Sequence, residues 1–215
     1  MISTSDTGVV EWGSPASRAT RAVIAVHGRG LDPADMRERS TRFAVDSVRF
    51  YAPSATGRSW YPGSFLEPIE RNQAGVEEGL LRVSAAIGRA RQDGFALTAI
   101  AVWGFSQGAC LLAQHLLTTA SDGHPAAALL FTGGFIGTTP PTVARRSLEG
   151  MPVLLRSIQQ DPFVPAERVR ATAGLLASAG ADVDVRIDPG DQHIVLDEAY
   201  TRGSAIIGAL TGGTT

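Results

Sequence analysis

Short apolar runs rich in β-branched types recur along the chain at residues 22–26, 48–52, 97–102, 127–131, 153–158 and 183–187, and several are hydrophobic at nearly every position. A strand with one face in water alternates apolar and polar side chains. Runs without that alternation are read as strands covered on both faces, the situation of a parallel sheet. Amphipathic stretches separate them. Asp32 and Pro33 supply a cap and a first-turn proline for a helix over 34–44, and residues 72–91 place Val76, Leu80, Leu81, Val83 and Ile87 near one stripe. Residues 165–178 and 196–210 complete the helical set. The alternation predicts an α/β architecture, a mostly parallel sheet with helices on both faces. With 215 residues, one hydrophobic core can serve the whole chain, and a single domain over 1–215 is expected.

The longest stretch without periodicity is 53–68 (PSATGRSWYPGSFLEP), which carries Trp60, Tyr61 and Phe65 close together. Long aromatic loops in compact domains are often functional. These three residues, with Phe163, are therefore candidate walls of a substrate pocket, packing beneath the loop being the alternative. The Gly/Thr/Pro-rich connection at 133–142 and the tail TGGTT at 211–215 are read as loops.

Charge and composition remove whole classes of function. The formal net charge is -2 and the arginines are scattered, so no basic stripe is available to displace counterions from nucleic acid. The chain contains no Lys, which excludes Schiff-base and P-loop lysine chemistry. Its single Cys, Cys110, has no partner for an internal disulfide and is read as a small buried hydrophobe. No H-E-x-x-H or Cys/His ligand spacing occurs, so neither a metal nor another cofactor is expected. The start MISTSDTGVVEWGS lacks a cationic segment followed by an apolar one, and no window approaches the roughly 18 apolar residues of a spanning helix. A cytoplasmic protein without a membrane span is the default expectation.

The chemistry centres on Gly104-Phe105-Ser106-Gln107-Gly108, G-x-S-x-G between a strand ending AVW and the helical stretch ACLLAQHLL. A sharp strand-to-helix turn strains the serine backbone, leaves no room for side chains at the flanking glycines, and lifts the hydroxyl above the sheet edge. A serine hydroxyl needs a base within hydrogen-bond reach. Among the histidines, His115 falls on the following helix, His124 in a polar turn, and His27 at a strand end as a structural residue. His193, in PGDQHIV between the last strand and the last helix, is the candidate base. Asp161 opens DPFVP at a strand's carboxyl end and is the candidate acid, with Asp188 and Asp191 as rivals on the histidine's own loop. The N–H of Gln107, and that of Arg29 in the tract His27-Gly28-Arg29-Gly30 after an early strand, are candidates for an oxyanion hole.

Taken together, HGRG after a first core strand, APSA followed by SWYP, GFSQGACLL, DPFVP and a late histidine resemble the phospholipase/carboxylesterase family, over about 22–210. This compact group of the α/β-hydrolase fold includes carboxylesterases and acyl-protein thioesterases, and a chain of this length is expected to have no room for a separate lid domain. The resemblance implies a triad of Ser106, Asp161 and His193, with oxyanion donors at Arg29 and Gln107. Three positions depart from the family pattern. Arg29 stands where better-known members carry an aliphatic residue, Gln159-Gln160 replaces a glycine-containing turn before Asp161, and Gln192 replaces a glycine before His193.

The expected activity is hydrolysis of a small-molecule carboxylic ester or thioester by a monomer or homodimer. The same residues would also serve an acyltransferase or cyclase. A ligand-binding protein that had lost turnover should lack a triad member, and none is missing. A serine peptidase on this fold commonly carries an extra gating domain, for which the chain is too short.

Overall fold

A computed structural model of the chain describes residues 3–4, 8–119, 123–143 and 147–211, so most of the expected tail lies outside the described residues. The strands are β1 (Ser3–Thr4), β2 (Val9–Gly13), β3 (Arg21–Val26), β4 (Val48–Pro53), β5 (Ile100–Phe105), β6 (Ala127–Phe131), β7 (Pro152–Ile158) and β8 (Asp182–Asp188). They form one sheet in the order β1-β2-β4-β3-β5-β6-β7-β8. From β4 to β8 neighbouring strands are parallel, whereas β1 and β2 add an antiparallel edge. The chain leaves β3 for β4 on one side and crosses back to β5 on the other. That reversal opens a crevice at the carboxyl ends of β3 and β5, where ligands of open α/β sheets bind.

The apolar runs form central strands because both faces are covered. In β3, Ala22, Ile24 and Val26 join one core cluster, and Val23 and Ala25 join the other. In β5, Ile100 and Val102 face the first cluster, while Ala101, Trp103 and Phe105 face the second. The first face is covered by α2 (Gln73–Gln92), α3 (Gln107–Thr118) and α4 (Ala166–Ser178). The opposite face is covered by α1 (Pro33–Ser40) and α5 (Asp197–Ala209). The edge strand β8, DVDVRID, is mostly exposed or half-buried, with Val183 and Ile187 packed against the first cluster.

Three expectations change. Helix α1 starts as expected, with Asp32 and Asp35 forming a reciprocal capping box, but ends at Ser40 and does not reach 44. The following residues turn, and Phe43 packs its ring 4.8 Å from that of Trp103 and 5.0 Å from that of Tyr200. The run at 97–102 is not all strand. Leu97–Ala99 is a 3-10 turn whose Leu97 carbonyl accepts the Ala126 N–H, and β5 then continues to Phe105. Finally, β2 was not foreseen. Its Glu11 breaks the apolar pattern yet is buried, held by Arg49 and Arg89.

Candidate active site

Ser106 occupies the turn between β5 and α3 with φ 53 and ψ -121, a conformation that costs a non-glycine residue free energy and persists only where surrounding structure fixes it. Its N–H donates to the Phe131 carbonyl at 2.9 Å, tying the elbow to the end of β6. The flanking glycines are required by contact. A Cβ at Gly104 would stand 2.7 Å from the Ala109 nitrogen, and one at Gly108 would stand 2.2 Å from the Val26 oxygen. Without side chains there, α3 approaches the ends of β3 and β5, and its first N–H groups surround the serine.

The loops after β7 and β8 bring the other two groups to this hydroxyl. His193 Nε2 lies 2.8 Å from Ser106 Oγ, and His193 Nδ1 lies 2.7 Å from Asp161 Oδ2. Asp161 Oδ1 accepts the N–H groups of Phe163 (2.9 Å) and Val164 (3.0 Å). Burial alone would push the Asp161 carboxyl up in pKa. The hydrogen bonds from His193, Phe163 and Val164 outweigh it and hold the group below the usual carboxylate range. An ionised Asp161 accepts the Nδ1 proton, which leaves the Nε2 lone pair facing the serine hydroxyl. The rivals are placed elsewhere: Asp188 binds Arg186 at 2.7 Å, and Asp191 is exposed.

His27 is structural, as expected. Its Nε2 accepts the Ala55 N–H at 3.1 Å, so Nδ1 carries the proton and donates to the Gly28 carbonyl at 2.8 Å. Burial lowers its pKa and keeps it neutral. The N–H groups of Arg29 and Gln107 have no protein acceptor among the described residues. At Gln107 this follows from its place in the first turn of α3, where no intrahelical acceptor exists. His115 and His124 lie away from the cleft.

A cavity of about 580 Å³ opens over Ser106, within the range of small-molecule sites. Tyr61, Phe65, Cys110, Phe163 and Val164 give it an apolar body, and Arg29, Glu67, Gln107 and His193 give it polar groups. Phe163 is 66% exposed and leans on the imidazole, ring centroids 5.1 Å apart. Burial pushes the Cys110 thiol up to about 11, so it forms the cavity floor as a neutral group.

Trp60 corrects its expectation, since it does not line the cavity. Its indole N–H donates to the His27 carbonyl at 2.7 Å and its ring packs 4.7 Å from the His27 ring, beneath the site. A buried indole needs an acceptor, and the nearest one turns Trp60 inward while Tyr61 faces the cleft.

Sequence reasoning did not foresee how the wall at 59–64 is held. The Gln107 side chain accepts the Trp60 N–H (3.0 Å) and donates to the Tyr61 carbonyl (2.8 Å). Asn72, buried at the head of α2, accepts the Gly63 N–H (2.8 Å) and donates to the Ser64 carbonyl (2.7 Å) instead of capping its own helix. Arg29 donates to the carbonyls of Tyr61, Pro62 and Gly63 at 2.6–2.9 Å. An Asn before a helix ordinarily signals a cap, so no local signal distinguished this one.

The phospholipase/carboxylesterase family model matches residues 8–201, nearly the whole described chain. The chain belongs to the phospholipase/carboxylesterase family. Acyl-protein thioesterase 1 of Gibberella zeae is 28% identical over 217 aligned positions, covering 89% of this chain and 91% of that protein. The crystal structure of a phospholipase/carboxylesterase from Dyadobacter fermentans superposes with a TM-score of 0.85 at 30% identity, over 93% of this chain and 95% of that one. A carboxylesterase from Mesorhizobium loti shares the fold, with a TM-score of 0.72 at 21% identity over 94% of each chain. The α/β-hydrolase fold follows.

Against the family's pattern, the glutamines before Asp161 keep the loop closed through their backbone. Gln159 N–H donates to the Asp188 carbonyl (2.8 Å) and Gln160 N–H to the Gly190 carbonyl (2.9 Å), joining the acid loop to the histidine loop. Among the described residues no group of three or more His, Cys, Asp or Glu side chains could hold a metal ion, and no helix is long and apolar enough to cross a membrane.

Proposed function

We propose that this family member cleaves carboxylic esters or thioesters through an acyl-enzyme on Ser106. The observation that carries the reading is the continuous hydrogen-bonded chain from Ser106 Oγ through His193 to Asp161, with contacts of 2.8 and 2.7 Å at the edge of an apolar cavity.

His193 Nε2 takes the Ser106 proton as Oγ attacks the acyl carbon. Asp161 fixes the imidazole tautomer and stabilises the imidazolium without becoming protonated. The oxygen of the tetrahedral intermediate accepts the N–H groups of Gln107 and Arg29, where the start of α3 favours negative charge. His193 then returns its proton to the departing alcohol or thiol. Water, deprotonated by the same imidazole, releases the acid and restores Ser106. A fluorophosphonate probe tests the assignment. Stoichiometric labelling of Ser106, slowed while excess ester substrate is present, supports it, and labelling at another residue or none contradicts it.

A further inference from the structure

On the esterase reading, the charges around the cavity select what the substrate carries. Arg29 is the arginine among the residues lining the cavity, and Glu67 is the carboxylate there. Glu67 is countered by Arg71 at 3.6 Å. Arg29 has no carboxylate within 4.0 Å among the described residues, and its hydrogen-bond partners are backbone carbonyls. Carbonyl dipoles orient a guanidinium but leave its unit charge in place, and its Nε–H and second Nη1–H remain free to donate. Nor does the wall depend on Arg29 alone, because the neutral amides of Gln107 and Asn72 hold the same segment.

A second guanidinium repeats the arrangement behind the cavity. Arg168 donates to the carbonyls of Phe135 (3.0 Å) and Gly137 (2.7 Å), with no carboxylate within 4.0 Å among the described residues. It packs 4.0 Å from the Phe135 ring centroid and 5.8 Å from that of Phe65, a cavity wall. The start of α3 adds positive potential at Ser106. Asp161, hydrogen-bonded to a neutral His193, supplies one opposing charge. Two guanidinium groups without carboxylate partners still leave positive charge in excess beside the apolar walls, and a partly enclosed apolar cleft focuses such a field.

We propose that the preferred ester or thioester carries a carboxylate, which Arg29 receives at the cavity rim while the apolar walls take the carbon chain. The carboxylate can sit on the acyl side or on the leaving-group side, and paired substrates separate the two. On the acyl side, the mono-para-nitrophenyl ester of adipic acid is compared with the ester of the isopropyl-terminated acid of equal length. On the leaving-group side, S-carboxymethyl thiohexanoate is compared with S-isobutyl thiohexanoate.

In one pair or both, the carboxylate member is expected to have a kcat/KM about tenfold higher at low salt, the order expected for one charge-assisted hydrogen bond, and the preference should shrink as ionic strength rises. Arg29→Met should abolish that ratio, and Arg29→Lys, which keeps the charge and loses the planar fork, should retain most of it. Reading the ratio within each variant separates recognition from general damage to the wall. A wild-type enzyme that prefers the neutral member of both pairs overturns the proposal, as does a ratio unchanged in Arg29→Met or lost equally in Arg29→Lys. If the wild type hydrolyses neither member of either pair and resists the fluorophosphonate, the esterase reading itself has failed.

Discussion

Asp161 meets His193 with one carboxylate oxygen and uses the other to accept two N–H groups of its own loop, so its side chain is fully enclosed although it serves a cleft. The carboxylate both orients the imidazole and closes the turn that carries Phe163. Asp161→Asn should leave the fold in place and lower kcat by on the order of 10⁴, because the amide favours the wrong imidazole tautomer. Steady-state kinetics beside a circular dichroism spectrum tests this. Activity kept in Asp161→Asn and lost in Asp188→Asn would assign the acid to the other loop.

The same hydrogen bonds set a pH dependence. Asp161 is held below its ordinary value of 3.8, so its ionised form stabilises the folded chain at higher pH. That contribution is fully present above the unfolded pKa and is lost as pH falls through the lower folded value. Below about pH 3.8 the stability difference between wild type and Asp161→Asn, from urea midpoints, should therefore shrink as pH falls further. A difference undiminished in that acid range would contradict this linkage.

Gly108 packs against the end of β3 and the residue that follows it. A Cβ there would lie 2.2 Å from the Val26 oxygen and 2.5 Å from the His27 oxygen, both backbone atoms that move only with β3. Gly108→Ala should cost about 1–3 kcal/mol as an overpacked core site and displace the N–H groups around Ser106, lowering kcat as well. A variant with wild-type midpoint and wild-type kcat would show that the contact relaxes freely.

Trp60, beneath the cleft, and Phe163, on its wall, differ in burial. Trp60 is 3% exposed and hydrogen-bonded, so Trp60→Ala should destabilise by about 3–5 kcal/mol. Phe163 is mostly exposed, so Phe163→Ala should stay within about 0.5 kcal/mol of wild-type stability and shift the acyl-chain profile instead. Thermal midpoints and a graded ester series distinguish them, and equal destabilisation by both substitutions would refute the division.

Much of this was legible in the chain because its signals are local. The doubly buried strands announce themselves by missing alternation, and β6 coincides with its expected bounds. G-x-S-x-G carries its own steric reason, seen in the contacts that Gly104 and Gly108 avoid. What was not legible depends on partners distant in sequence. Glu11 in β2 reads as a break in an apolar run until Arg49 and Arg89 are placed beside it. Trp60 and Tyr61 are adjacent aromatics and both are buried, yet the indole is held beneath the site by the His27 carbonyl while Tyr61 lines the cavity. The clamp on 59–64 joins Arg29, Asn72 and Gln107 from three separate elements, a convergence that no spacing rule encodes.

The central claim is that Ser106 is the nucleophile, and the turnover of Ser106→Ala on a reactive para-nitrophenyl ester tests it most directly. Removing the nucleophile of a serine triad costs roughly a million-fold in kcat in a well-studied protease, so the variant should be folded and inactive to within the assay background. A folded variant that retains more than about a tenth of the wild-type kcat, far above what the remaining groups of such a site sustain, would contradict the account.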